Sequence, residues 1–216
     1  MKKRIELDDR EELVTCKPVT CNSPKVTIIE YGAGNLFSVK AAVERLGGEV
    51  VCSADPEVIR GADKVIFPGV GQAAAAMRQL RKYGLDRVIP ELEVPVLGIC
   101  LGMQLMCAYS EEGATGGLGI FPMRVNEFEK SSKVPHMGWN GVYDLKSGLL
   151  EGVNEGERVY FVHSYYVPVS EYTVASCDYQ VVFSAAIRKG NFWGCQFHPE
   201  KSAGVGERII ENFLKM

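Results

Sequence analysis

From Val26 onward, short β-branched runs alternate with segments of helical apolar spacing, the pattern of a mostly parallel sheet covered by helices. Strands are predicted at residues 26–30, 65–67 and 96–99. Between the first two, Leu36, Val39, Val43 and Leu46 recur at helical spacing and stop at Gly47 and Gly48, which predicts a helix with a glycine C-cap. A second helix is predicted after Gln72. The second half reads differently: residues 158–162, 172–177, 181–187 and 192–197 are strand-like runs separated by turn residues, and these are expected to add antiparallel strands. Ile209, Ile210, Phe213 and Leu214 share one face of a predicted terminal helix over 206–216. No repeat, low-complexity tract or linker divides residues 25–216.

Residues 1–24 stand apart. Five basic side chains (Lys2, Lys3, Arg4, Arg10, Lys17) and five acidic ones (Glu6, Asp8, Asp9, Glu11, Glu12) occur with little apolar periodicity, so this segment reads as a charged extension, more readily a solvated or loosely tethered tail than a partner-docking arm.

Composition narrows the classes. The chain has 216 residues, 46% of them hydrophobic and 24% charged, which is ordinary globular composition for one domain with some excess. Its 24 Lys and Arg against 27 Asp and Glu leave a net charge of −3, without the clustered basic excess that binding a phosphate backbone requires, so no nucleic-acid partner is expected. The longest stretch without a charge, residues 94–110, contains Pro95, Gly98 and Gly102 and falls short of the roughly 20 apolar residues that span a bilayer. No membrane partner is expected. The basic N-terminus lacks an apolar h-region and a cleavage site, so the expected location is cytoplasmic. Seven cysteines, an odd number with no CxxC pair, fit reduced thiols and give no metal site; Cys52, Cys107, Cys177 and Cys195 are expected to be small buried apolar residues.

The strongest local signal is Gly98-Ile99-Cys100-Leu101-Gly102 after an apolar strand and before a helix, a nucleophile elbow with cysteine in the nucleophile's place. The turn is so tight that side chains two positions either side of the nucleophile would collide, and the nucleophile's own backbone is strained. A helix N-terminus also favours thiolate over thiol. Alone, the motif fits equally well a buried small cysteine between packing glycines.

A nucleophilic thiol needs a base, and His198 is the candidate among His136, His163 and His198. It lies in Gln196-Phe197-His198-Pro199-Glu200, where the proline keeps it out of the helical region. In extended backbone Glu200 points to the same side and would hold the ring in one tautomer. The loop Phe67-Pro68-Gly69-Val70-Gly71-Gln72 is the third piece: its N–H groups and that of Leu101 can face a developing oxyanion. Phosphate cradling fits less well, since GK[ST] and GxGxxG are both absent, and a plain tight turn remains an alternative.

Gly98 to Gln104, His198-Pro199-Glu200 and Pro68-Gly69-Val70-Gly71 together resemble the class I (triad) glutamine amidotransferases, over residues 25–216. Tyr31-Gly32-Ala33-Gly34-Asn35, Pro135-His136-Met137-Gly138-Trp139-Asn140 and Phe161-Val162-His163-Ser164-Tyr165-Tyr166 are similar, within that class, to the glutaminase subunits of imidazole glycerol phosphate synthases of histidine biosynthesis. The first 24 residues depart from that pattern. The resemblance implies a flavodoxin-like α/β fold, with a mostly parallel sheet between helices and added antiparallel strands in the second half. It further implies that Cys100 attacks the glutamine carboxamide, His198 shuttles the proton and Glu200 orients His198. Val70, Gly71 and Leu101 would form the oxyanion hole; Gly71, Gln104, Ser164 and Tyr165 would contact glutamine. Trp139 and Asn140 would lie near the interface, although an ordinary core or surface role for Trp139 fits as well. The implied partner is a (β/α)₈-barrel cyclase that makes imidazole glycerol phosphate and AICAR from the ammonia, in a heterodimer; no cofactor and no metal are implied. The fold, elbow and triad consume residues 25–216, so the acceptor's site is expected on that other chain. A glutaminase of the pyridoxal phosphate synthase type and a catalytically silent interaction subunit are the alternatives.

Overall fold

The computed structural model describes residues 24–130 and 133–216. The charged extension, with Cys16 and Cys21, lies outside the described residues apart from Pro24. In chain order the elements are β1 (Lys25–Ile29), α1 (Leu36–Arg45), β2 (Glu49–Ser53), α2 (Pro56–Arg60), β3 (Lys64–Gly69), α3 (Ala73–Lys82), α4 (Leu85–Val88), β4 (Val96–Cys100), α5 (Leu101–Leu105), β5 (Cys107–Ser110), β6 (Thr115–Gly116), β7 (Phe121–Glu127), β8 (His136–Gly141), β9 (Arg158–His163), β10 (Tyr165–Tyr166), β11 (Thr173–Tyr179), β12 (Val181–Lys189), β13 (Phe192–Cys195) and α6 (Ala203–Lys215).

Seven strands form the central sheet in the order β11-β12-β13-β4-β3-β1-β2. Every pair from β13 to β2 is parallel, and β11 and β12 extend the sheet antiparallel, as the change of pattern in the second half predicts. The remaining strands make a four-stranded sheet, β10-β7-β5-β6, and the hairpin-like pair β8-β9.

Alternation along the buried strands sends successive side chains to opposite faces. Val26, Ile28, Ile66, Leu97 and Ile99 pack with Val39 and Val43 of α1 and Ile209, Ile210 and Phe213 of α6. On the other face Ile29, Val65, Phe67 and Val96 pack with Met77 and Leu80 of α3 and Leu85 and Val88 of α4. Each such fully buried aliphatic or aromatic side chain contributes about 1.5–3 kcal/mol, so the two layers hold the sheet from both sides.

The expected glycine C-cap of α1 is present, and an N-cap not read from the sequence joins it. The Asn35 side chain accepts from Ser38 N–H at the start of α1, and Gly47 ends it in the left-handed region at φ 89°. The terminal helix begins at Ala203, three residues before its predicted start. Gly206, read as a boundary, is instead a close-approach position, because a Cβ there would sit 1.9 Å from the Pro199 carbonyl oxygen.

Parallel pairing brings the carboxyl ends of three strands to one edge. Gly69 of β3 stands opposite Cys100 of β4, and Cys195 of β13 opposite Ile99. The segments leaving these strands are the Val70–Gln72 loop, the Cys100 elbow and the run from Gln196 to Glu200. Ligands of open α/β sheets bind outside this edge.

Candidate active site

Cys100 ends β4 and opens α5 with φ 52° and ψ −110°, a left-handed conformation that a non-glycine residue adopts only under constraint. The elbow's glycines explain the constraint. A Cβ on Gly102 would lie 1.8 Å from the Phe67 carbonyl oxygen, and one on Gly98 2.9 Å from the Met103 nitrogen. The neighbouring β3 end is held by Tyr31, fully buried, whose hydroxyl donates to the Pro68 carbonyl at 3.1 Å. A Cβ on Gly34 would press on the Pro68 ring at 3.3 Å. The Tyr31-to-Asn35 segment therefore packs directly against the Pro68-to-Gly71 loop.

A cavity of about 350 Å³ opens at the elbow, lined by Cys100 together with Val70, Gly71, Leu101, Gln104, Ser164, Tyr165 and His198. Eight of the residues proposed from the sequence thus share one wall-to-wall space, of a size suited to a small ligand. Gly71, at φ 93°, has nothing within 4 Å of a would-be Cβ, leaving its peptide room to turn. Glu200 sits behind His198, its Oε1 2.8 Å from His198 Nδ1, with both side chains almost inaccessible to solvent. The route to this contact differs from the predicted one. His198 is extended (φ −100°, ψ 96°), but Pro199–Lys201 form a single 3₁₀ turn, which carries Glu200 back under the ring.

Nδ1 of His198 faces the carboxylate, so Nε2 is the atom left free; it is buried without a hydrogen bond of ordinary length. Burial pulls the His198 pKa down, but the interactions with Cys100 and Glu200 overcome it and push the value up to about 9. An imidazolium between a carboxylate and a sulfur is therefore the favoured charge arrangement.

Gln104 lines the cavity with its amide already engaged. Its Nε2 donates to the Tyr165 carbonyl at 2.9 Å and to Gln196 Oε1 at 3.0 Å, and Gln196 in turn directs its Nε2 to Cys100 Sγ at 3.8 Å. The orientation follows from chemistry: a carbonyl only accepts, so the nitrogen of Gln104 must face Tyr165. Both amide protons of Gln104 are spent within the chain.

Trp139 and Asn140 lie away from the cavity. On β8 the outward positions are Met137 and Trp139, the latter 48% exposed, whereas Asn140 turns inward to the Asp178 carbonyl and the His136 ring. Among the described residues no group of three or more His, Cys, Asp or Glu is arranged to hold a metal, and no helix is long and apolar enough to cross a membrane.

The model of the family described as "Glutamine amidotransferase class-I" matches residues 27–216. The chain belongs to the class-I glutamine amidotransferases. This amidotransferase is 58% identical over 195 residues to imidazole glycerol phosphate synthase subunit HisH of Bacteroides fragilis (strain YCH46), covering 89% of this chain and 100% of that protein. It is 46% identical over 211 residues to the protein of the same name from Colwellia psychrerythraea, covering 90% and 94% respectively. In fold it resembles PurLQS from Thermotoga maritima, at TM-score 0.69 and 17% identity over 89% of this chain and 98% of that one. A solved glutamine amidotransferase matches at TM-score 0.69 and 19% identity over 88% and 97%.

Several residues of the amidotransferase pocket were not singled out by sequence reasoning. Glu112, Pro135, Val162, His163 and Lys201 complete the lining. Glu112 accepts from the Ala73 N–H at 2.7 Å, capping α3 from a distant turn, and burial pushes its carboxyl up. Gln196 lay within a quoted motif, but its bond to Gln104 spans 92 positions and has no local signal.

Proposed function

We propose that the chain is the glutamine-hydrolysing subunit of an imidazole glycerol phosphate synthase and that Cys100, His198 and Glu200 are its catalytic triad. The observation that carries the reading is the buried His198–Glu200 ion pair set behind a strained Cys100 on the wall of one cavity.

The chemistry follows the charges. The Cys100 thiolate attacks the carboxamide carbon of glutamine, forming a carbon–sulfur bond while the carbonyl π electrons move to oxygen. The N–H of Leu101 and the Val70–Gly71 peptide receive that oxyanion. His198 gives its Nε2 proton to the leaving nitrogen, the carbon–nitrogen bond breaks and ammonia departs, leaving a glutamyl thioester. Neutral His198 then takes a proton from water as it attacks the thioester, and glutamate is released with the thiolate and imidazolium restored. Glu200 keeps the ring turned so that Nε2 faces the sulfur throughout.

Glutamine is held by its other end. Glu112 is the carboxylate of the cavity lining and suits the substrate's α-ammonium, Gln104 offers Oε1 as its remaining polar atom, and Ser164 and Tyr165 supply backbone from the facing segment. The partner is a (β/α)₈-barrel cyclase in a heterodimer, joined through the face bearing Met137 and Trp139, both large and exposed. Ammonia released into water would be protonated and lost, which favours a docked acceptor. The extension at residues 1–24 is a segment separate from the amidotransferase domain at 25–216. Mixing the purified chain with that cyclase tests the reading: glutamate and imidazole glycerol phosphate are expected to form together from glutamine. Glutamine use that is indifferent to the cyclase contradicts the assignment.

A further inference from the structure

Two histidines outside the triad are buried next to the pocket. His136 on β8 and His163 at the end of β9 stand opposite each other in the strand register, with His136 Nδ1 3.0 Å from His163 Nε2. Aromatic rings enclose them. His136 is sandwiched between Phe161 and Tyr179, with centroids at 4.7 and 4.0 Å, and His163 meets Phe128 and Phe183 at 5.4 and 5.2 Å.

The protons of this pair can be assigned from both ends. His163 Nδ1 is 2.8 Å from the Tyr165 carbonyl, which only accepts, so His163 carries its proton on Nδ1 and presents Nε2 as an acceptor. His136 must then donate from Nδ1, leaving its own Nε2 as an acceptor. At the far end the Asn140 Oδ1 accepts from Gly141 N–H at 2.8 Å, which turns Asn140 Nδ2 toward the Asp178 carbonyl and His136 Nε2. Asn140 therefore donates where the Tyr165 end requires a donor. The two independent ends agree on one arrangement of protons, in which both rings are neutral. Burial acts the same way, pulling the His136 pKa down to about 4 and that of His163 to about 3.

The relay ends on a carbonyl of the pocket wall. The Tyr165 oxygen receives His163 Nδ1–H from one side and Gln104 Nε2–H from the other, so its peptide is held by the relay on one side and by the elbow helix on the other. We propose that His136 and His163 are positioning residues, a neutral relay with a single proton direction from Asn140 beside exposed Trp139 to the Tyr165 carbonyl, where it fixes the Ser164–Tyr165 wall of the glutamine pocket. The inference rests on the reading of the Cys100 cavity as the glutaminase site, because it assigns what that wall binds.

The test has two arms on the full-length chain. Long-range ¹H–¹⁵N correlation spectra of the wild-type protein near neutral pH read the tautomers directly; both rings are expected neutral and protonated at Nδ1. Protonation of His163 at Nε2, or an imidazolium in either ring, overturns the relay. In the second arm, glutamine kinetics are measured with the partner cyclase present for wild type, His136→Phe and His136→Asn. His136→Phe keeps the aromatic sandwich and loses the donor, and KM for glutamine is expected to rise about tenfold with kcat within about twofold, since a buried acceptor is left unpaired. His136→Asn restores a donor near Nδ1 and is expected to recover most of the loss. Unchanged KM in His136→Phe, or an equal loss in both variants, contradicts the positioning role. A wild-type chain without glutaminase activity would overturn the site assignment instead, while the spectra still decide the proton direction.

Discussion

Nδ1 of His198 lies 2.8 Å from Oε1 of Glu200, and the carboxylate's other oxygen is buried without a partner. The whole charge of Glu200 is thus spent on one ring, whose pKa stands at about 9 against an ordinary 6.5. A group whose folded pKa is raised contributes stability that is fully present below its unfolded pKa and is lost as pH rises through the folded one. Chemical denaturation of wild type and Glu200→Gln is therefore expected to show their largest stability difference below about pH 6.5, narrowing as pH rises through about 9. Glutaminase kcat in Glu200→Gln should fall by about 10²-fold or more, because the ring loses its orienting anion. A stability difference that widens with pH contradicts the ion pair.

The elbow tolerates no added carbon at Gly102, where a Cβ would sit 1.8 Å from a backbone oxygen. Gly102→Ala is expected to cost at least about 3 kcal/mol, a fall in Tm of roughly 6–12 °C, since β3 and α5 must separate. Thermal unfolding followed by circular dichroism checks this, and an unchanged Tm would show that the close approach is wrong.

In the proposed binding mode Glu112 meets the substrate ammonium, and Glu112→Gln keeps the oxygen that caps α3 while removing the charge. KM for glutamine is expected to rise about tenfold or more with kcat nearly unchanged, the signature of lost ground-state binding. Steady-state kinetics with the cyclase present measure the split; a fall in kcat at constant KM would move Glu112 to a different role.

Trp139 is half exposed, rests edge-on against Tyr160 and contributes nothing to the cavity lining. Trp139→Ala is expected to weaken cyclase binding by at least about 2 kcal/mol, roughly thirtyfold in Kd, with the monomer's Tm barely changed. Calorimetric titration against the cyclase checks it. Unaltered affinity would leave Trp139 as an ordinary surface aromatic.

The parts of the fold carried by local pattern were legible. β1, β3 and β4 are buried on both faces and read as short apolar runs, and the elbow's glycines announce a tight strand-to-helix turn. β2 was not singled out: it is an edge strand, and its short run Val50-Val51-Cys52 lies between polar Glu49 and Ser53 with every residue exposed or half-buried. β8 was not legible because its glycines, Gly138 and Gly141, interrupt any alternation of apolar side chains; Gly138 takes φ 134°, a conformation that favours glycine, with open space around it. At the site, Cys100, His198 and Glu200 lie in short motifs, but the 3₁₀ turn that joins the last two does not follow from strand alternation. Glu112 and Gln196 act through bonds to residues 39 and 92 positions away, and such pairings exist only once the sheet has formed.

The central claim is that one sulfur makes the ammonia. Synthesis of imidazole glycerol phosphate by the chain with the proposed cyclase partner should be measured for Cys100→Ser, supplied in turn with glutamine and with ammonium salt. Glutamine-dependent synthesis is expected to fall by about 10³-fold or more while ammonia-dependent synthesis stays at the wild-type level. Retained glutamine-dependent synthesis in Cys100→Ser would contradict the account.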